Sequence, residues 1–395
     1  MDVLTEFWTE KYLKEYIKEG GSKIKFVTGR PGSGKTYLLG ELADCARKLN
    51  YKVVTFSAQQ IWLHDFKEIY LEILRQCDLI EALGRCAGKV AEHMGYVSDA
   101  IPEGMNFMDY LSSQDLGDAI TRRELRLQLK EMFLDNPLFD NNFALACSLL
   151  TGGILGHPVL ESQNQELLLA WLHGDKTVKL SLLRSLGLSP SRITRYNARH
   201  MLRSLVEVLH LGGYSGVVVL VDDMEVLLGH SGNSELRYTK MRREDTYESI
   251  RQLIDEIDSL RNIMFVFGFD RELFDDDRAG IKSYQALWMR IQNEIISPRF
   301  NCFTDVADLD RLAGQFSTPE SLVAMSGEML AQLERQRAAR FGGGPGSDAA
   351  ERGAAAGPAV ITRGQAEEIL KNAALGGIGI PGQVAQATLG GEQHV

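Results

Sequence analysis

The stretch "FVTGRPGSGKTYLL", residues 26–39, decides how the chain is read. Gly29-Arg30-Pro31-Gly32-Ser33-Gly34-Lys35-Thr36 matches G-x-x-x-x-G-K-[ST] at every position. "KIKFVTG" (23–29) before it reads as a buried strand, and a helix is expected from about Lys35 to Leu49. In that strand–loop–helix setting the glycines let the backbone wrap phosphates, and the helix adds its positive end. Lys35 is expected at the β and γ phosphates and the Thr36 hydroxyl on Mg²⁺. The whole loop with Tyr37 forms the expected nucleotide contact: Gly29, Arg30, Pro31, Gly32, Ser33, Gly34, Lys35, Thr36 and Tyr37. A bare glycine turn that binds nothing would not need the lysine and the hydroxyl together.

Working outward, "KVVTFSA" (52–58) supplies a second strand, and the βαβ pattern implies a parallel sheet. A third apolar strand, "VVVLVDDME", ends in acid. Asp222 emerges at its carboxyl end, where ligands of parallel sheets collect, and is the expected Mg²⁺ ligand beside Thr36. Asp223 stands where many ATPases carry the glutamate that polarises water, and Glu225 is a second candidate for that role. The strand "NIMFVFGFD" (262–270) ends in Asp270, which is expected either to touch the attacking water or γ-phosphate or to cap a helix. The strand bearing Asp222 is expected to neighbour the strand of the phosphate loop.

Lys35 and Asp222 are separated by far more chain than a plain phosphate-loop domain needs. The excess is helical in pattern, so a module of ~100 residues is expected as an insertion. The expected organisation is a helix over 1–20 with Phe7, Tyr12, Tyr16 and Ile17 inward, a core from 21–60 and 211–300, and a helical insertion over 61–210. A helical lid is expected over 301–340, a Gly/Ala linker over 341–360 and a helical tail over 361–395. The fold class is therefore α/β, a parallel-sheet P-loop nucleoside triphosphatase (NTPase) with a large helical insertion and a C-terminal helical lid.

The 395 residues carry 43 basic and 53 acidic side chains, a net charge of −10, which argues against wholesale coating of nucleic acid. The five cysteines are odd in number and form no CxxC pair, so they read as reduced thiols of a cytoplasmic protein and not as a zinc site. The longest apolar run, "FALACSLLTGGILG" (143–156), is too short to span a bilayer, so no membrane role is expected.

Arg192, Arg195, Arg199 and Arg203 fall at i, i+3, i+7 and i+11. On one helix they would form a positive stripe, a candidate contact for DNA phosphates, and "LGLSPSRITRYNARHML" (186–202) has the flavour of a helix–turn–helix. A solvated face paired with carboxylates is the plainer alternative. Arg243, Arg278, Arg290 and Arg299 are candidates for an arginine that completes a neighbouring subunit's site; Arg278 is preferred, against a salt bridge with Asp275–Asp277.

Four stretches together resemble the BREX-type ATP-binding family, AAA+-related P-loop proteins of bacterial phage-defence islands. They are "YIKEGGSKIKFVTGRPGSGKT", "WLHGDKTVKLSLLRSLGL", "GYSGVVVLVDDME" and "FVFGFDRELFDDDRAGIKSYQALWMRI". The similarity runs from about residue 10 to 310. It implies a fold of AAA+, origin-recognition or STAND-like type and an ATPase that uses ATP and Mg²⁺. It also implies self-association and work with other defence-system proteins on DNA. The family usually has Asp-Glu where this chain has Asp222-Asp223, and often a small or hydroxyl residue where Phe269-Asp270 stand; both departures bear on hydrolysis more than on binding. A nucleotide-driven switch with little turnover and a DNA-loading factor are the alternative readings.

Overall fold

A computed structural model describes residues 2–316, apart from 97–100, 103, 230–235 and 296–300. The expected helix over 317–340, the linker and the tail therefore lie outside the described residues.

In chain order the elements are α1 (Asp2–Trp8), which runs on as a π-helical Thr9–Ile17, then β1 (Ser22–Gly29), α2 (Lys35–Lys48) and β2 (Tyr51–Ser57). The insertion follows as α3 (Phe66–Cys77), α4 (Leu79–His93), α5 (Phe107–Ser113), α6 (Ala119–Leu129), α7 (Asn141–Leu155), α8 (Ser162–Leu172), α9 (Leu180–Ser185) and α10 (Ala198–Leu211). The chain then returns through β3 (Gly216–Asp222), α11 (Lys240–Glu256), β4 (Ile263–Asp270), α12 (Arg271–Asp275), α13 (Gln285–Ile295), β5 (Val306–Asp308) and α14 (Leu309–Phe316).

The five strands are parallel, in the order β2-β3-β4-β1-β5. β3 is thus not a neighbour of β1, as the sequence reading expected; β4 lies between them. Near-continuous apolar runs such as Val217–Val221 suit a sheet covered on both faces. Alternation decides which cover each residue meets. Val218 and Leu220 pack with Leu38, Leu39 and Leu42 of α2 and with Leu4, Trp8 and Leu13 of the N-terminal helix. Val217, Val219 and Val221 face the insertion, in one core with residues of α3, α4, α7 and α10. The insertion is therefore no separate appendage; its apolar interior is continuous with one face of the sheet.

Of the expected inward residues on the N-terminal helix, Tyr12 and Ile17 are buried, Phe7 is partly buried and Tyr16 is exposed. Residues 301–316, expected to open a lid, instead supply the edge strand β5 and the helix α14. A buried lysine fastens this edge. Lys25 on β1 has no exposed surface, and its Nζ donates to the carbonyls of Phe303 (2.8 Å) and Thr304 (2.6 Å) and pairs with Asp305 (3.2 Å). The rings of Trp8 and Tyr12 cover the same ammonium.

The cysteines are free thiols, and burial pushes those of Cys77 and Cys86 up to about 12, so both are inert. Among the described residues no helix is long and apolar enough to cross a membrane, and no cluster of His, Cys, Asp and Glu has the makings of a metal site.

Candidate nucleotide site

The carboxyl ends of β1, β3 and β4 and the N-terminus of α2 meet at one point. Gly32 (φ 77°) and Gly34 (φ 91°) adopt left-handed conformations that side chains resist, which is what bends the loop between β1 and α2. Gly29 is also constrained: a Cβ there would lie 2.4 Å from Ser33 Oγ. Ser33 Oγ is buried inside the loop and has no hydrogen-bond partner.

Asp222 crosses to the loop despite the intervening strand. The Thr36 hydroxyl donates to Asp222 Oδ2 at 2.7 Å. Gly268 on β4 makes the crossing feasible, since a Cβ at that position would stand 2.8 Å from Asp222 Oδ1 and 3.3 Å from Leu39 Cδ1. Sequence reasoning overlooked Gly268, although a glycine inside the apolar strand "FVFGFD" signals close approach. A hydroxyl and a carboxylate in contact are hard oxygen donors of the kind Mg²⁺ takes, and the wrapped loop with its lysine suits phosphate. The residues present thus fit a magnesium–nucleotide.

The two candidate acids diverge. The Ser57 hydroxyl at the end of β2 donates to Asp223 Oδ2 at 2.6 Å, so Asp223 leans toward β2, away from the loop. Glu225 lies in a single 3₁₀ turn after β3 (Met224–Leu228) and leans the other way: its Oε2 accepts the backbone N–H of Asp270 at 3.3 Å. Asp270 in turn is opposite Gly29 in the β1–β4 register. Burial, with Asp270 and Asp223 nearby, pushes the Glu225 carboxyl up to about 7.

Asp270 begins α12 but its side chain makes no capping hydrogen bond. Its Oδ1 instead lies 2.6 Å from Lys35 Nζ. Two further ion pairs reach the sheet's edge: Arg271 of α12 pairs with Asp308 at 2.9 Å, and Arg30 of the loop with Asp310, whose Oδ2 also accepts the Arg30 N–H at 3.0 Å. Neither Asp308, at the end of a strand only three residues long, nor Asp310, in the first turn of α14, carried a legible signal. Arg30 is thereby drawn to the edge, while Tyr37 stands 57% exposed on the first turn of α2.

The remaining sequence candidates scatter. The arginine stripe does not form, because α10 begins only at Ala198 and Arg192 and Arg195 lie in the preceding loop. Arg199 is mostly buried over the Phe66 ring, bonded to Gln252 (3.0 Å) and paired with Glu256. The Arg203 Nε is buried too. α10 packs against α3 and α4 with most of its residues buried, so it is a core helix and not an exposed recognition helix. Arg192 and Arg195 stay exposed and line, with Lys67, Lys176, Trp171 and the carboxylates of Asp65, Glu68 and Asp175, a cleft of about 570 Å³.

Among the arginines considered for a neighbouring site, Arg290 is tied to Asp255, and Arg243 donates to the Leu227 carbonyl. Arg299 lies outside the described residues. Arg278 is exposed, and Lys282, not Arg278, approaches Asp275 and Asp277.

Searches of curated proteins and of solved structures found no match. A family model described as "BREX system ATP-binding protein BrxC/D" matches residues 11–313, which takes in β1 with its loop, the insertion, and β3 to β5. The chain therefore belongs to the BREX system ATP-binding protein BrxC/D family, and is an ATP-binding protein of that phage-defence system.

Proposed function

We propose that the chain binds Mg-ATP in the Gly29–Thr36 loop and hydrolyses it to ADP and phosphate. The observation that carries this reading is the convergence of Lys35, Thr36, Asp222, Glu225 and Asp270, from separate elements, at the N-terminus of α2. Lys35 and the loop amides hold the phosphates, and Thr36 and Asp222 hold the metal. Bound Mg²⁺ would draw charge from the β and γ phosphate oxygens. Glu225, partly buried and leaning toward the loop, takes the proton of the attacking water; a base with its pKa near the working pH is suited to that step. Asp223, tied to Ser57, positions the strand end and is not the base.

In the defence system the chain acts with other protein components and assembles with itself, with Arg278 of one copy completing the site of the next. DNA contact is assigned to the cleft of Arg192, Arg195, Lys67 and Lys176, and not to a helix face. The test is phosphate release and oligomer state measured with Mg-ATP, with and without DNA, over a range of salt. Mg-dependent release that DNA stimulates is expected. ATP held tightly without phosphate release, alone and with DNA, would favour the switch reading.

Gly268 gives a sharper check on the metal pair. Gly268→Ala puts a methyl against the Asp222 carboxylate and shifts it from Thr36. Turnover is expected to fall by ~10–100-fold, because misplacement by about 1 Å carries costs of that order. The Mg²⁺ concentration for half-maximal rate should rise in parallel. Unchanged Mg²⁺ dependence in a folded variant would mean that Asp222 does not need this path.

A further inference from the structure

Lys35 already has an anion. Its Nζ lies 2.6 Å from Asp270 Oδ1, 3.1 Å from the Arg30 carbonyl and 3.4 Å from the Gly29 carbonyl. An ammonium has three donors, and protein oxygens meet all of them here. The lysine side chain is 9% exposed and the aspartate's 22%, so water screens the pair little. The backbone enforces it: Asp270 stands level with Gly29 across the β1–β4 ladder, and its carboxylate does not cap α12. Nucleotide phosphate needs the same ammonium.

We propose that Asp270 is an internal counter-anion of Lys35 that nucleotide phosphate must displace, so that it sets nucleotide affinity and holds the resting site closed. The proposal rests on the phosphate-loop reading and adds regulation to it. Once phosphate takes the lysine, the freed carboxylate faces phosphate and Glu225, both of like charge, and must turn away. The next residue, Arg271, bridges to Asp308 on β5, and Arg30 of the loop bridges to Asp310 on α14. The exchange therefore bears on the sheet edge and on the α12 turn that leads to Arg278.

The test is calorimetric binding of a non-hydrolysable ATP analogue with Mg²⁺ to the full chain. Wild type, Asp270→Asn, Lys35→Ala and the double variant form a cycle. Asp270→Asn is expected to bind roughly tenfold tighter than wild type, and this gain should vanish when Lys35 is alanine. Asp270→Ser, which can also start α12, should tighten binding likewise. Equal or weaker affinity in both Asp270 variants would overturn the proposal, and equal affinity with reduced turnover would leave Asp270 as a residue that orders water. If Lys35→Ala binds the analogue as well as wild type does, the phosphate-loop reading itself fails, which is a separate outcome.

Discussion

Glu225→Gln is expected to slow ATP turnover by about 10²–10⁴-fold, the usual contribution of a positioned general base. ATP affinity should change little, because the hydrogen bond of Glu225 goes to the Asp270 backbone N–H and not to Lys35, Thr36 or Asp222. Asp223→Asn is expected to cost far less, since its carboxylate is bonded to Ser57 on the far side of β3 from the loop. The reverse ranking would return the catalytic role to Asp223. The protonation of Glu225 gives a second readout that needs no activity. Its carboxyl, ordinarily near 4.5, is pushed up to about 7, first by burial and then by Asp270 and Asp223. A carboxyl raised in the fold binds its proton more tightly there than in the unfolded chain. This stabilisation is complete below about pH 4.5 and is lost as pH rises through about 7. The unfolding free energy of the nucleotide-free wild type from urea titration, relative to Glu225→Gln, should therefore decline across that window, by at most about 3 kcal/mol. A flat difference would place Glu225 in a solvated setting.

Lys35→Ala is expected to weaken ATP binding by about 2–5 kcal/mol, or some 30-fold to several thousand-fold, the cost of truncating one member of a desolvated charge pair. It should also lower the melting temperature of the nucleotide-free protein, because Asp270 keeps its partly buried charge and loses its cation. Adding Asp270→Asn should recover the stability and not the binding. Loss of both without recovery would make Lys35 chiefly a structural residue.

Much of this architecture was legible before any coordinates. The glycine loop, four of the five strands and the helical insertion announce themselves by pattern, because burial on both faces of a parallel sheet demands continuous apolar runs and a phosphate loop demands glycines at fixed spacing. β5 was not legible: three residues carry no period, and Lys25, the residue that fastens that edge, reads in isolation as a surface charge. The arginine stripe failed for a related reason. Spacing of i, i+3, i+7 and i+11 implies a face only if one helix spans it, and the helix start at Ala198 depends on what α10 packs against.

By itself, then, the sequence determined the glycine-rich loop between β1 and α2, the parallel sheet around it and the acid-tipped strand that belongs with it, since these rest on local backbone geometry and on burial periodicity. Only the tertiary structure decided the strand order, the glycine over which Asp222 reaches Thr36, the direction in which each of Asp223 and Glu225 leans, and the pairing of Asp270 with Lys35. Those are facts of register and neighbourhood between segments far apart in the chain. A carboxylate's role depends on which charges and donors lie within a few ångströms of it, and linear spacing does not carry that information.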